Sequence, residues 1–219
     1  MPDSSRPLRF CMVTTFYPPY HFGGDATFVQ ALSESLAEAG HHVEVVHCVD
    51  TFRILSDRKP EEPSPHPKVK VHRLQSRLGF LSPLITQQTG RPGLKSGALR
   101  RILAQPFDVV NFHNISLVGG PAILGMSQAP INLYTLHEHW LVCPMHILWK
   151  NGTKACDGAE CISCCLRSHR PPQVWRHTGL IQRSLRHVDM MLAPSEFTAR
   201  VHREAGISAP MRVVHLFSR

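Results

Sequence analysis

A cysteine-rich segment that directly follows an apolar run is the part of the sequence most suggestive of chemistry. Of the seven cysteines in the 219-residue chain, five lie within 23 residues. Four thiolates at S–Zn distances of about 2.3 Å form a common structural zinc site, and Cys161 and Cys164 have the CxxC spacing of such sites. The sequence therefore predicts Cys143, Cys156, Cys161 and Cys164 as structural zinc ligands.

Two other interpretations of these cysteines stay open. A zinc ribbon contains two CxxC pairs and this segment contains one, so a reduced, partly buried loop without metal and a disulfide-stapled loop are the alternatives. A catalytic zinc is not indicated, because HEHWL at 137–141 departs from HExxH and no deaminase-type motif occurs.

Polar residues with binding or catalytic chemistry recur where apolar runs of strand length end. In open parallel sheets ligands bind beyond the carboxyl ends of the strands, so these residues form the candidate site. They are Tyr17, His21, Gly23, Gly24, Asp25, His113, Asn114, His137, Glu138, His139, Ser195 and Glu196.

Gly23 and Gly24 stand immediately before a predicted amphipathic helix. The first turn of a helix has free N–H groups and a positive dipole end, and glycine allows a phosphate to approach the backbone closely. The pair does not match GxGxxG, and Asp50 is only a generic acidic residue after the second strand, so a nicotinamide dehydrogenase is poorly supported.

Strand and helix patterns alternate along the chain and would position these residues. The pattern predicts one Rossmann-like α/β domain over residues 1–219, with a doubly wound, mostly parallel sheet and a cysteine-rich loop inserted at about 143–166. Residues 53–67 are predicted as a surface loop and 76–93 as an irregular segment at the edge of the cleft. Strands are predicted at 8–15, 43–48, 69–74, 107–114, 131–140, 189–195 and 211–217, and helices at 25–39, 96–104, 116–128, 174–188 and 196–206.

The composition is that of a globular protein with a basic surface. Hydrophobic residues make up 42% and charged residues 18%, and neither a signal-peptide pattern nor a membrane-spanning apolar run occurs, so we expect a cytoplasmic protein. The net charge of +8 is scattered and no nucleic-acid motif accompanies it, so nucleic acid is not an expected partner. Apolar and basic stretches at 78–85 and 175–186 instead suggest peripheral contact with the inner membrane face.

Four segments, taken together and in order, resemble the N-terminal domain of family 4 glycosyltransferases, which is one half of a GT-B fold. The resemblance implies a retaining enzyme that transfers a sugar from a nucleotide sugar to a hydroxyl acceptor without a catalytic metal. The segments are FYPPYHFGGDATFVQALSESLAEAGHHVEVV at 16–46, FDVVNFHN at 107–114, YTLHEHWLVCP at 134–144 and LAPSEFTARVHREAG at 192–206.

The resemblance also implies roles for individual residues. His137 would be the catalytic-site residue that faces the reacting sugar, while Gly23 and Gly24 would reach the donor phosphates. Asp25, His113 and Glu138 are adjacent candidates for binding donor phosphate or acceptor.

The partners follow from the same resemblance. We expect a nucleotide sugar and a hydroxyl acceptor, either a glycan or a lipid-linked one. The family's C-terminal donor domain is absent from these 219 residues, so a separate donor-domain chain is a further expected partner. The alternative is a non-catalytic module of the same fold that binds a glycan, a nucleotide or a partner protein.

Overall fold

A seven-stranded parallel sheet is the centre of the computed structural model, which describes residues 6–60, 66–158 and 160–217. Two further short strands form a separate antiparallel hairpin. In chain order the strands are β1 (Arg9–Val13), β2 (His42–Cys48), β3 (Val69–Leu74), β4 (Val109–Phe112), β5 (Ile131–Thr135), β6 (Trp149–Lys150), β7 (Lys154–Ala155), β8 (Met190–Ala193) and β9 (Met211–Val213).

Helices connect the strands and cover both faces of the sheet. Short 3-10 helices at Gly93–Lys95, Pro121–Met126 and Val174–Thr178 supplement them. The α-helices are α1 (Gly24–Glu38), α2 (Val49–Leu55), α3 (Leu81–Thr89), α4 (Ser96–Leu103), α5 (Cys161–Arg167), α6 (Leu180–Leu185) and α7 (Glu196–Glu204). None of those within the described ranges is long and apolar enough to cross a bilayer.

The strand order of the large sheet is β3-β2-β1-β4-β5-β8-β9, with parallel pairing throughout. The chain winds outward from β1 in one direction and returns to β4 to wind in the other. The topological switch point therefore lies between β1 and β4, where open α/β sheets form their ligand crevice. The predicted doubly wound α/β fold is confirmed.

The core has a layer on each side of the sheet. On one face Val29 and Ala37 of α1 pack with Met12 and Val45. The other face carries the larger cluster, which includes Phe112 and the helices after the fourth strand. All four residues of β4 are buried, as expected for a central parallel strand covered on both faces.

Two helices occupy segments that were predicted to be irregular. The last residues of α2, from Arg53 to Leu55, occupy the beginning of the proposed surface loop, while Val49 and Phe52, just before it, are buried. In α3 the buried face consists of Ser82, Pro83 and Thr86, so the segment lacks apolar periodicity. The ammonium of buried Lys95 donates to the Ser82 and Thr86 hydroxyls, each at 3.0 Å, so the buried polar groups of this face are hydrogen-bonded.

Element boundaries also differ from the sequence prediction. The helix predicted at 174–188 is divided at Gly179, whose φ of 71° separates a 3-10 helix from α6. The helix predicted at 116–128 is a 3-10 helix at Pro121–Met126, and the strand predicted at 131–140 ends at Thr135. His137 therefore lies in the loop beyond β5, where it is free to face the crevice.

Gly120 provides a test of the packing behind the crevice. It has φ 61°, and an added Cβ would lie 2.5 Å from the carbonyl carbon of Gly90. We expect Gly120→Ala to lower the free energy of unfolding by about 2–4 kcal/mol, measured by urea denaturation.

The matched control is Gly97→Ala in α4, where an added Cβ meets nothing within 4 Å. This change is expected to raise the free energy of unfolding by up to about 1 kcal/mol, because alanine favours helix. Equal effects at the two positions would contradict the described packing.

Candidate functional site

Two histidines from neighbouring strand ends are joined by a hydrogen bond at the crevice. His113 continues from β4, and its backbone N–H donates to the carbonyl of Val13 at 2.9 Å, so it stays aligned with the sheet. Its Nδ1 lies 2.9 Å from Nε2 of His137. One ring must donate and the other accept. In neutral rings both protons therefore lie on nitrogens of the same name, either both Nδ1 or both Nε2.

Burial sets the charge of this pair. Removal from water holds the pKa of His113 well below its usual range, and a charge on His137 would lower it further. Burial likewise lowers the pKa of His137, although the negative charges of Asp25 and Glu138 act in the opposite direction. At neutral pH the site therefore presents two uncharged imidazoles.

Asp25 connects the start of α1 to the loop after β4. One carboxylate oxygen accepts from the backbone N–H of Ala26 at 2.8 Å, and the other accepts from the side-chain amide of Asn114 at 3.2 Å. The amide oxygen of Asn114 in turn accepts from the Ser116 hydroxyl at 2.6 Å. These bonds hold the carboxylate near His137, where its negative charge favours the protonated form of that ring.

The Gly23–Gly24 turn faces open space. Gly23 is the N-cap residue of α1, and a Cβ added at either glycine would meet no atom within 4 Å. Packing therefore does not require glycine here. The first-turn N–H groups of Gly24 and Asp25 have no acceptor inside the helix, so they are available to an anion that approaches the turn.

The side chain of Glu138 contacts His146 rather than the histidine pair. Its carboxylate forms a close hydrogen bond with Nδ1 of His146. Both side chains line a cavity of about 600 Å³ that opens beside Asn114. Glu138 thus lies between the histidine pair and this cavity.

Phe28 belongs to the site, although the sequence predicted it only as part of the helix at 25–39. Its ring centroid lies 5.3 Å from that of His137, 6.3 Å from that of His113 and 5.2 Å from that of Phe217. The signal was its position one helical turn after Gly24, which places it over the same strand ends.

Three other strand-end candidates have structural roles. His139 stacks on His202 with ring centroids 5.5 Å apart and meets Phe197 edge-on. Ser195 is the N-cap of α7, and its hydroxyl accepts from the Thr198 N–H at 3.2 Å, with Glu196 as the first residue of the helix. These contacts lead away from the histidine pair.

Arg176 fixes the chain that follows His137. Its guanidinium lies over the rings of Trp140 at 4.9 Å and Trp175 at 5.1 Å. It donates to the carbonyls of Trp140 at 2.8 Å and Leu141 at 3.3 Å. Burial lowers its pKa to about 10, so it keeps its charge at neutral pH. The loop is thereby attached to the 3-10 helix Val174–Thr178, which carries Arg176.

The cysteine-rich segment contains the β6–β7 hairpin followed by α5, and its thiols are free. Backbone N–H groups donate to two of them at 3.4 Å, from Asn151 to Cys164 and from Gly158 to Cys156. Burial raises the pKa of the Cys161 thiol, and the nearby Cys156, Cys143 and Cys164 raise it further. The other three predicted zinc ligands therefore lie within electrostatic reach of Cys161.

Zinc binding stays a prediction. Within residues 6–60, 66–158 and 160–217, no group of three or more His, Cys, Asp or Glu side chains is arranged so that it could hold a metal ion. The cysteines would have to move closer together to ligate one.

Known proteins resemble this chain across most of its length. The model of Glycosyltransferase Family 4 matches residues 22–217. An "Uncharacterized 42.6 kDa protein in cps region" of Klebsiella pneumoniae is 27% identical over 221 residues, which cover 91% of this chain and 52% of that protein. The chain thus spans about half the length of this curated relative.

A solved structure resembles the fold. Sucrose-phosphate synthase from Thermosynechococcus elongatus superposes with a TM-score of 0.60 at 14% identity, over 95% of this chain and 48% of that one. The similarity supports the arrangement of strands and helices described above.

The buried histidine pair predicts a specific pH dependence of stability. The unfolded chain takes up protons below about pH 6.5, whereas the folded chain resists protonation of His113. The free energy of unfolding therefore decreases as the pH is lowered below that value. We expect His113→Asn to flatten this slope by about 1.4 kcal/mol per pH unit, measured by urea denaturation at several pH values. Identical slopes for wild type and His113→Asn would contradict burial of a neutral ring.

The zinc prediction is tested by metal content. If four thiolates hold zinc, the double variant Cys161→Ser/Cys164→Ser should lose the metal in mass spectrometry and melt about 5 °C or more below wild type. Cys165→Ser, at the fifth cysteine, should keep the metal. Wild-type protein purified without zinc, together with an unchanged Tm in the double variant, would refute the metal site.

Proposed function

The chain belongs to glycosyltransferase family 4, and we propose that it supplies the acceptor-side half of a retaining sugar-transfer site. In the proposed reaction the bond between the anomeric carbon and the donor diphosphate breaks. The acceptor hydroxyl bonds to that carbon on the same face, and its proton leaves with the departing phosphate oxygen. The single observation that carries the proposal is the buried His113–His137 pair beside the open Gly23–Gly24 turn.

The glycine turn suits the departing diphosphate. Free N–H groups at the start of α1 can stabilise negative charge as it develops on the leaving group. An added Cβ at Gly23 or Gly24 would occupy space that is otherwise open. We therefore assign this turn to the donor phosphates.

His137 suits the reacting sugar because it is neutral. A sugar that loses its phosphate develops positive charge at the anomeric carbon, and a protonated imidazole would repel it. The burial that lowers the pKa of His137 avoids this repulsion. His113 acts as a positioning residue, since its hydrogen bond fixes the tautomer and orientation of the His137 ring.

Asp25 contributes a negative charge close to the same centre. It does not suit phosphate binding, because two anions would repel each other. Its bonds to Ala26 and Asn114 leave it suited to positioning the strand ends and stabilising positive charge. Asp25 was predicted to bind either donor phosphate or acceptor, and we therefore assign it to the reacting sugar and its acceptor rather than to the phosphate.

The nucleotide pocket is proposed to lie on a further donor half, either in a longer chain or in a partner chain. No catalytic metal is part of the proposal. A structural zinc at Cys143, Cys156, Cys161 and Cys164 would serve only to hold the loop beyond His137.

Release of nucleotide tests this function. The full chain is incubated with a panel of nucleotide sugars, alone and with a donor-half polypeptide from a family 4 enzyme, and free nucleotide is measured by mass spectrometry. We expect release in the combined sample, lowered about a hundredfold or more by His137→Ala. His42→Ala should keep the activity because His42 is exposed and lies at the other end of its strand.

Three outcomes are distinguishable. Release by the chain alone would show that it carries its own donor site and would contradict the half-site proposal. Release that His137→Ala leaves unchanged would remove His137 from the site. Silence in both samples would favour a binding module of the same fold.

A further inference from the structure

The cavity beside Glu138 has the size of a small-molecule site. Its volume of about 600 Å³ lies within the range of about 300–1,000 Å³ that is common for ligand pockets. It extends from Asn114 and Glu138, next to the histidine pair, towards α2, α3 and the loop beyond β5. A ligand in it would have one end at the proposed reaction centre.

The walls of this cavity are unusually apolar for a site that would bind a free sugar. Six large hydrophobic side chains that line it are also exposed to solvent, although residues of this kind usually pack inside. They come from the loop before α1, from α2 and α3, and from the loop beyond β5. They are Phe22, Ile54, Leu55, Phe80, Leu84 and Ile147.

Polar groups line the end next to the histidine pair, and the side-chain amides of Gln87 and Gln173 lie elsewhere on the lining. Asn114 and Ser116 line that end, and Glu138 with His146 forms the adjoining wall. Elsewhere on the lining, Arg170 supplies a positive charge. The cavity is therefore complementary to an amphiphile, with a polar head at the strand ends, an apolar chain along α2 and α3, and room for an anionic linkage near Arg170.

We infer that the acceptor is lipid-linked: its reacting hydroxyl is carried on an alkyl or isoprenoid chain that lies in this cavity. The inference rests on the proposed function for the identity of the acceptor. A wholly polar saccharide would leave the exposed aromatic and aliphatic walls without apolar contacts. A chain of methylenes would remove them from water and leave the hydroxyl at the end lined by Asn114 and Glu138, next to the histidine pair.

Binding of alkyl glucosides to the full chain tests the inference without requiring turnover. Methyl, hexyl, octyl and decyl β-D-glucoside are titrated below their micelle concentrations by isothermal calorimetry. We expect the affinity to rise about fourfold with each added methylene, with little binding of the methyl compound.

Two leucines of equal chemistry provide the matched variants. Leu84 lines the cavity and is 43% exposed, whereas Leu94 is 46% exposed and lies outside the lining. Leu84→Asp should weaken decyl glucoside binding about tenfold or more, because it places a charge beside the chain, and Leu94→Asp should leave the binding unchanged. Circular dichroism checks that both fold. Phe80→Ser, at a cavity residue that is 64% exposed, serves if Leu84→Asp does not.

Affinities that do not depend on chain length, or equal effects of Leu84→Asp and Leu94→Asp, would overturn the inference. Loss of decyl glucoside binding when the donor half is added would also overturn it, because the cavity would then be covered by protein. Chain-length dependence without nucleotide release would mean that the proposed transfer fails while the lipid site stands. Release of nucleotide without chain-length dependence of glucoside binding would mean that the proposed transfer stands while the lipid site fails.

Discussion

Backbone pairing of β1, β4 and β5 is the constraint on which the site depends. Val13 lies opposite Phe112, and Phe112 lies opposite Tyr134, so the three strands end close to the same level. A shift of one residue would turn alternate side chains to the opposite face of the sheet. Because the register is fixed by buried strands, groups from distant parts of the sequence meet at one edge: the glycine turn after β1, His113 after β4 and His137 after β5.

Removal of water from that edge determines what the groups can do. Phe28 covers both imidazoles, and burial lowers the pKa of each ring, although Asp25 and Glu138 favour protonation of His137. The same edge stays open at the glycine turn and along the apolar cavity. One small region thus combines open first-turn N–H groups, two neutral imidazoles and an apolar cavity, the three features from which we propose transfer from a nucleotide sugar to a lipid-linked hydroxyl.

The sequence predicted the parts of this arrangement that follow from local pattern. The alternation of strand and helix patterns predicted the doubly wound sheet. Their positions at the carboxyl ends of predicted strands placed His113 and His137 in one candidate site. The helix α3 could not be predicted from the sequence, because its buried face is polar around Lys95 and therefore shows no hydrophobic periodicity. Neither the position of Phe28 against both imidazoles nor the cavity could be predicted, since both arise from side chains that meet only after the sheet has formed. The four cysteines were predicted to ligate zinc; the structure places three of them within electrostatic reach of Cys161, without a metal-binding group in the described ranges.

The most direct test of the account is the protonation of the two imidazoles. Long-range proton–nitrogen NMR correlations of the histidine rings can be followed between about pH 8 and about pH 5, across the usual histidine pKa of about 6.5. The account predicts that His113 and His137 stay neutral below that value and carry their protons on nitrogens of the same name, as their shared hydrogen bond requires. Protonation of both rings at the usual pKa, or opposite tautomers in the two rings, would contradict it.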